Sequence, residues 1–249
     1  MSAGGAGLSS ADNFKIYKEA IDVLEESGVR YVIGGGIAIM AFGRTRDTKD
    51  IDLYIMDSDQ DRALQALARA GFEVDPMPGV HWLCKGYKKG ITVDFIIENV
   101  GGMHTTKETL DHGRWTCING YRMHVMSPED LIVRKIMAMR SDRNDWFDCI
   151  SVLSSTYERF DWEYFNKVAA VDYERALSFV LYVRSDREHV VPVPDRAVAE
   201  LYDKVGPELK MHEQMPGARS RHEQKARPSV AGRADARART GDQTTHRRR

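Results

Sequence analysis

Residues 32–55 read Val32-Ile-Gly-Gly-Gly-Ile-Ala-Ile-Met-Ala-Phe-Gly-Arg-Thr-Arg-Asp-Thr-Lys-Asp-Ile-Asp-Leu-Tyr-Ile55. A hydrophobic strand over 31–33 runs into Gly34, Gly35 and Gly36. A short apolar helix over 36–42 follows, then a second strand over 51–55 that opens beside Asp50 and Asp52. Side chains two apart on a strand share a face. Asp50 and Asp52 therefore aim two carboxylates at one point, suited to a divalent cation. Backbone amides at a helix start attract anions, and glycine lets a phosphate come close. Cation and phosphate together point to chemistry on a nucleoside triphosphate.

Downstream, Ile91-Thr-Val-Asp94-Phe-Ile-Ile97 is a strong strand with a carboxylate inside it. A charge in such a strand is costly unless it faces a metal, a partner or solvent. Asp94 thus joins the pair as a third candidate ligand. Each piece alone also has an ordinary reading: a solvated strand end for Asp50 and Asp52, a plain strand-to-helix turn for the glycines.

Around this centre the periodicity lays out an α/β (α+β) half. A helix is expected over 13–27, with Phe14, Tyr17, Ile21, Val23 and Leu24 forming most of its apolar stripe. Ser58 is expected to cap a helix reaching residue 70, with Asp61 at the capping-box position and Gly71 as the stop. Strands are expected over 73–75 and 81–87, and a hairpin over 115–125 turning at Asn119-Gly120. At Ser127-Pro128-Glu129-Asp130 the period becomes helical: Ser at the cap, Pro at the first helical position, acids in the first turn. Further helices follow over 143–154, with Trp146, Phe147, Ile150 and Leu153 turned inward, and over 162–171, 173–183 and 195–205. The expected organisation is a disordered stretch over 1–10, a sheet domain over 11–126, an all-helical domain over 127–207 and a disordered basic tail over 208–249.

Composition narrows the classes. The chain has 249 residues, 42% hydrophobic and 29% charged, enough for one large domain or two small ones. No apolar run approaches bilayer length. Residues 1–10 lack the basic and apolar regions of a secretion signal, so a cytoplasmic protein without a membrane partner is expected. Cys84, Cys117 and Cys149 are widely spaced and read as reduced thiols, not a disulfide frame or zinc site. Residues 210–249 hold 11 Lys/Arg and 4 Asp/Glu, a net of +7, which leaves the remainder at −8. No aromatics interleave with the tail's charges, which favours a solvated extension over a nucleic-acid arm. Trp82, Trp115, Trp146 and Trp162 read as core or interface packing, not as a base-stacking platform.

The series Gly35-Gly36-x-Ala38, Gly43, Arg46, Thr48 and Asp50-Ile51-Asp52-Leu53 resembles the signature of the DNA polymerase beta-like nucleotidyltransferase superfamily. The similarity is to its small bacterial and archaeal branch of antibiotic- and toxin/antitoxin-type enzymes. Ser127-Pro128-Glu129-Asp130-Leu131-Ile132, then Lys135, Arg140, Arg143-Asn144-Asp145 and Asp148, looks like the helical segment that follows the sheet in that branch. The resemblance covers about residues 13–205.

The resemblance implies that Gly35 and Gly36 contact the triphosphate. It implies that Asp50, Asp52 and Asp94 hold two Mg2+ ions, and that Asp94 deprotonates the acceptor hydroxyl. The acceptor oxygen would attack the α-phosphate of a nucleoside triphosphate such as ATP, releasing pyrophosphate. Many members carry Gly-Ser where Gly35-Gly36 stands, so a serine contact to phosphate is missing. The Gly-Gly version is shared by the antibiotic and toxin types. Arg46 and Lys135 are the candidate nucleotide-binding cations. The alternatives are an ion pair of Arg46 or Lys49 with Asp47 or Asp50, and a Lys135 that snorkels to solvent. Arg143, Asp145 and Asp148 read as a structural ion-pair set. The expected function is Mg2+-dependent transfer of a nucleoside monophosphate to a hydroxyl on a small molecule, a protein or an RNA end. The acidic core weighs against extensive RNA contact. A homo-oligomer is compatible with the sequence. The alternative is a catalytically inactive, antitoxin-like interaction protein with the same fold.

Overall fold

The computed structural model describes residues 10–44, 48–140, 145–187 and 191–214. Arg46, Arg143, residues 1–9 and the tail from residue 215 lie outside the described residues. The described residues form one compact unit.

Strands β1 (Tyr31–Ile33), β2 (Asp50–Ile55), β3 (Glu73–Asp75), β4 (Leu83–Lys88) and β5 (Ile91–Ile96) are followed by the short pair β6 (Glu98–Asn99) and β7 (Met103–His104). The hairpin strands β8 (Arg114–Ile118) and β9 (Tyr121–Val125) complete the set. Seven of these form one mixed sheet in the order β3-β4-β5-β2-β1-β9-β8. β2 runs parallel to β5 and β1 parallel to β9; the other neighbours are antiparallel.

The alternation along each central strand decides what each sheet face does. In β5, Ile91, Val93 and Phe95 are buried on one face; in β2, so are Ile51, Leu53 and Ile55. They pack with Phe14, Tyr17, Ile21 and Leu24 of α1 (Ser10–Glu26) and with Ala63, Leu64 and Leu67 of α3 (Gln60–Arg69). Each buried Val, Ile, Leu or Phe among them contributes about 1.5–3 kcal/mol on burial. The intervening residues, Asp50, Asp52 and Asp94 among them, are left on the opposite face.

That opposite face meets the helical half. α5 (Pro128–Ala138), α6 (Asp145–Thr156), α7 (Trp162–Val168), α8 (Tyr173–Ser185) and α9 (Asp195–Gln214) build a second core. Leu131, Ile132 and Ile136 of α5 share it with Val32 of β1, Tyr54 of β2 and Ile39 of α2 (Gly35–Ala41). The helices therefore roof the sheet rather than stand apart from it. No helix among the described residues is long and apolar enough to cross a membrane.

Local chemistry accounts for the junctions. Asn119 and Gly120 turn β8 into β9 with φ of 49° and 82°, the paired positive φ that matches the strand twist. Lys89 and Gly90 do the same between β4 and β5, at φ 51° and 77°, and set Lys88 opposite Ile91. Ser127 accepts the Asp130 amide at 3.1 Å and Pro128 opens α5, as the sequence indicates.

Three expectations change. Ser58 does not cap α3: a 3-10 turn over Asp57–Asp59 intervenes, and the helix opens at Gln60 without a side-chain cap. The Asp59 carboxylate lies 3.3 Å from the Arg62 guanidinium instead. Phe147 is 50% exposed, because the α6 face turned inward carries Cys149, Ile150, Val152 and Leu153. Trp115, read as core or interface packing, is equally exposed and packs between the His124 ring and the Arg122 guanidinium, so it lies outside the core without contradicting that reading. α9 continues to Gln214, so residues 208–214 belong to a helix. The β6–β7 pair and α4 (Lys107–Asp111) were not anticipated; α4 starts with a capping box in which Thr109, not an acid, answers Thr106.

Candidate active site

The site is a row across four chain segments. In the β2–β5 register Asp52 faces Asp94, and in the β4–β5 register Asp94 faces Lys85. On the other side of β2, the Gly34 amide donates to the Asp52 carbonyl at 2.9 Å. Lys85, Asp94, Asp52 and the glycine turn therefore lie in line on one face, with Asp50 two residues before Asp52.

The glycines serve this row in a way the sequence does not reveal. Gly35 has φ +53°, and a Cβ there would stand 1.7 Å from Asp52 Oδ2. A Cβ on Gly34 would lie 2.3 Å from the Tyr54 ring. Two of the glycines thus make room for β2 side chains as well as for the backbone turn. Gly36 follows in the first turn of α2.

Asp50 is exposed, and its amide donates to Thr48 Oγ1 at 3.2 Å. The Thr48 carbonyl in turn accepts from the Tyr17 hydroxyl at 3.0 Å. Tyr17 is fully buried in α1, so this bond ties the approach to β2 to the core. Burial, with the charges of Asp50 and Asp52, pushes the Tyr17 hydroxyl up to about 12; it stays a donor.

The carboxylates strain against one another. Burial first, then the charges of Asp94 and Asp50, raise Asp52 to about 6, while Lys135 and Lys85 pull the other way. Asp94 is also raised, by burial, against the opposing hydrogen bond and charge of Lys85. Lys85 Nζ stands 2.6 Å from Asp94 Oδ1.

Lys135 does not snorkel. It is buried on α5, with Nζ 2.9 Å from Asp145 Oδ1 and 3.1 Å from Asp148 Oδ2. Asp148 also pairs with Arg44, just beyond α2. Asp145 and Asp148 do form an ion-pair set, with Lys135 and Arg44 as partners. Lys135 remains close enough to Asp52 to lower its proton affinity.

Lys85 and Tyr17 are absent from the sequence-derived set. Nothing in the local pattern marks either one; only the strand register and the packing of α1 bring them in.

The donor chemistry suits a hard divalent cation: three carboxylates on one face of two adjacent strands, with Asp94 and Asp50 raising the proton affinity of Asp52 and Asp50 adding to that of Asp94. Their spacing is open. Among the described residues no three His, Cys, Asp or Glu side chains already stand at metal-binding spacing. The thiols offer nothing here: Cys84 and Cys149 are buried, with the Cys84 thiol pushed up to about 12 by burial, and Cys117 is exposed elsewhere.

Residues 13–206 match the model of a family described as "Nucleotidyl transferase of unknown function (DUF2204)". Among curated proteins no relative matches. Of solved structures, the solution structure of the antibiotic-resistance factor ANT(2'')-Ia is similar at 17% identity, covering 70% of this chain and 98% of that one, with TM-score 0.50. The lincomycin-bound lincosamide antibiotic adenylyltransferase LnuA has 17% identity, 61% and 100% coverage and TM-score 0.43. A putative nucleotidyltransferase from Thermotoga maritima has 16% identity, 52% and 86% coverage and TM-score 0.40. At 17% identity the likeness to ANT(2'')-Ia speaks to the fold alone.

Proposed function

Because this chain belongs to the nucleotidyl transferase family that spans its residues 13–206, we propose that it moves a nucleoside monophosphate from a triphosphate to a hydroxyl acceptor in a Mg2+-dependent reaction. The observation that carries this reading is the register that sets Asp52 beside Asp94, with Asp50 on the same face.

Asp50 and Asp52 would hold the cations, with Asp94 completing the set. Bound there, Mg2+ would neutralise the triphosphate and align the attacking and leaving oxygens. The turn at Gly35 and Gly36 would receive the phosphates on the β1 side of the row. Asp94, on the far side, would accept the proton of the acceptor hydroxyl as that oxygen attacks the α-phosphorus and pyrophosphate departs. Its raised proton affinity suits a base better than an ordinary surface carboxylate would. Lys135 would act on the triphosphate through its charge, from a position fixed by Asp145 and Asp148. Arg46 keeps its assignment as a nucleotide-binding candidate from the sequence pattern. The acceptor is a hydroxyl on a small molecule, a protein side chain or an RNA end.

The test is incubation with each of four α-labelled nucleoside triphosphates, Mg2+ and cell lysate, beside Asp50→Asn. Label that reaches an acceptor only with intact Asp50 supports the reading and identifies the acceptor's class. Absence of both transfer and triphosphate binding by calorimetry overturns it.

A further inference from the structure

Lys85 is the one cation that hydrogen-bonds a member of the aspartate row among the described residues. Its register offers two acidic partners: Asp75 on β3 and Asp94 on β5. Asp75 Oδ1 accepts the Met77 amide at 2.8 Å. The ammonium goes to Asp94 instead, at 2.6 Å. Both side chains of the pair are about four-fifths buried, at 21% and 17% exposure. This is not a solvent-screened ion pair of negligible consequence. It takes one oxygen of a carboxylate that the proposed chemistry needs.

We propose that Lys85 is a built-in competitor for the divalent cation at Asp94, so that the site accepts metal well only together with a polyphosphate. The inference rests on the reading that the three aspartates hold metal. With the site bare, the ammonium neutralises part of the charge that Asp50, Asp52 and Asp94 concentrate there. A dication arriving alone meets a positive charge already seated at Asp94, and the repulsion is strong in a partly buried setting. A triphosphate brings compensating negative charge, and the ammonium can then give up Asp94 Oδ1. Lys85 thereby couples metal loading to nucleotide loading and keeps the base covered until both are present.

The experiment measures Mn2+ binding by electron paramagnetic resonance in the intact protein, without nucleotide and with a non-hydrolysable triphosphate analogue. Lys85→Met should tighten Mn2+ binding without nucleotide by about tenfold or more, because a like charge has left the site. The gain on adding the analogue should shrink. Lys85→Arg, which keeps the charge, should stay near wild type, and Asp94→Asn should not show the tightening when combined with Lys85→Met. Unchanged or weaker Mn2+ binding in Lys85→Met, or undetectable binding in both it and wild type, overturns the inference. A merely structural Lys85 would weaken binding in both the Met and Arg variants. If Lys85→Met tightens Mn2+ but no protein transfers label, the nucleotidyl-transfer reading fails while this inference stands. If label moves and Mn2+ affinity does not respond, the inference fails alone.

Discussion

Gly35 and Asp52 share one volume: a β-carbon on the glycine would stand 1.7 Å from the aspartate's Oδ2. The residue that turns the chain into α2 is therefore also the wall against which the central carboxylate is placed.

Gly35→Ala should misplace Asp52 as well as strain a backbone held at φ +53°. A displacement near 1 Å at a reacting centre costs about a hundredfold in rate. Transfer of α-label should fall by at least about that factor, and thermal denaturation should show a loss of about 1–3 kcal/mol. Full activity in a folded Gly35→Ala protein would remove Asp52 from the proposed site.

Asp52 should leave a signature in the metal-free stability. Its folded-state value is about 6 against an ordinary 3.8, so the folded state holds the proton more tightly than the unfolded chain. The associated stability is fully present below about pH 4 and is lost as pH rises through about 6, up to about 3 kcal/mol. Asp52→Asn removes that loss. Its stability relative to wild type in chelator should therefore be more favourable at pH 8 than at pH 4, by urea denaturation. A difference that does not change with pH would refute the raised value.

Lys135→Met should separate scaffold from substrate contact. It leaves two buried carboxylates, Asp145 and Asp148, without the ammonium between them. Removing one member of a buried ionic group costs about 3–5 kcal/mol, softened here by Arg44 at Asp148. A lowered urea midpoint is expected even without nucleotide. A variant as stable as wild type, with only KM for triphosphate raised, would make Lys135 purely a ligand contact.

Tyr17→Phe deletes the donor to the Thr48 carbonyl. The cost to stability is about 1 kcal/mol. The larger effect should fall on kcat, through a loosened approach to Asp50, with KM for triphosphate little changed. Single-turnover kinetics on the variant checks the split.

How far the chain reveals itself depends on the range of the interaction. The β9-to-α5 junction was legible because Ser127, Pro128 and the acids of the first turn act on their own neighbours. The shared face of Asp50 and Asp52 was legible from the two-residue period of a strand, and Asp94 because a charge inside an apolar strand stands out. Ser58 misled because a short 3-10 turn shifts the helix start, and propensity does not register a shift that small. Lys85 was invisible for another reason. Leu83–Lys88 reads as an ordinary mixed strand, and only the pairing of β4 with β5 puts its lysine against Asp94. The double duty of Gly35 likewise needs the position of a side chain seventeen residues away in sequence, on another strand.

The tight turn at Lys89 and Gly90 acts as a ruler for the chemistry. It phases β5 against β4 so that Asp94 meets Lys85. One residue added there would invert the strand. Val93 and Phe95 would then take the face that carries Asp52, and the carboxylate would be driven into the apolar layer beneath the sheet. Any residue that tolerates the positive φ can serve in this turn, but its length decides which face of the sheet Lys85 shares with Asp94.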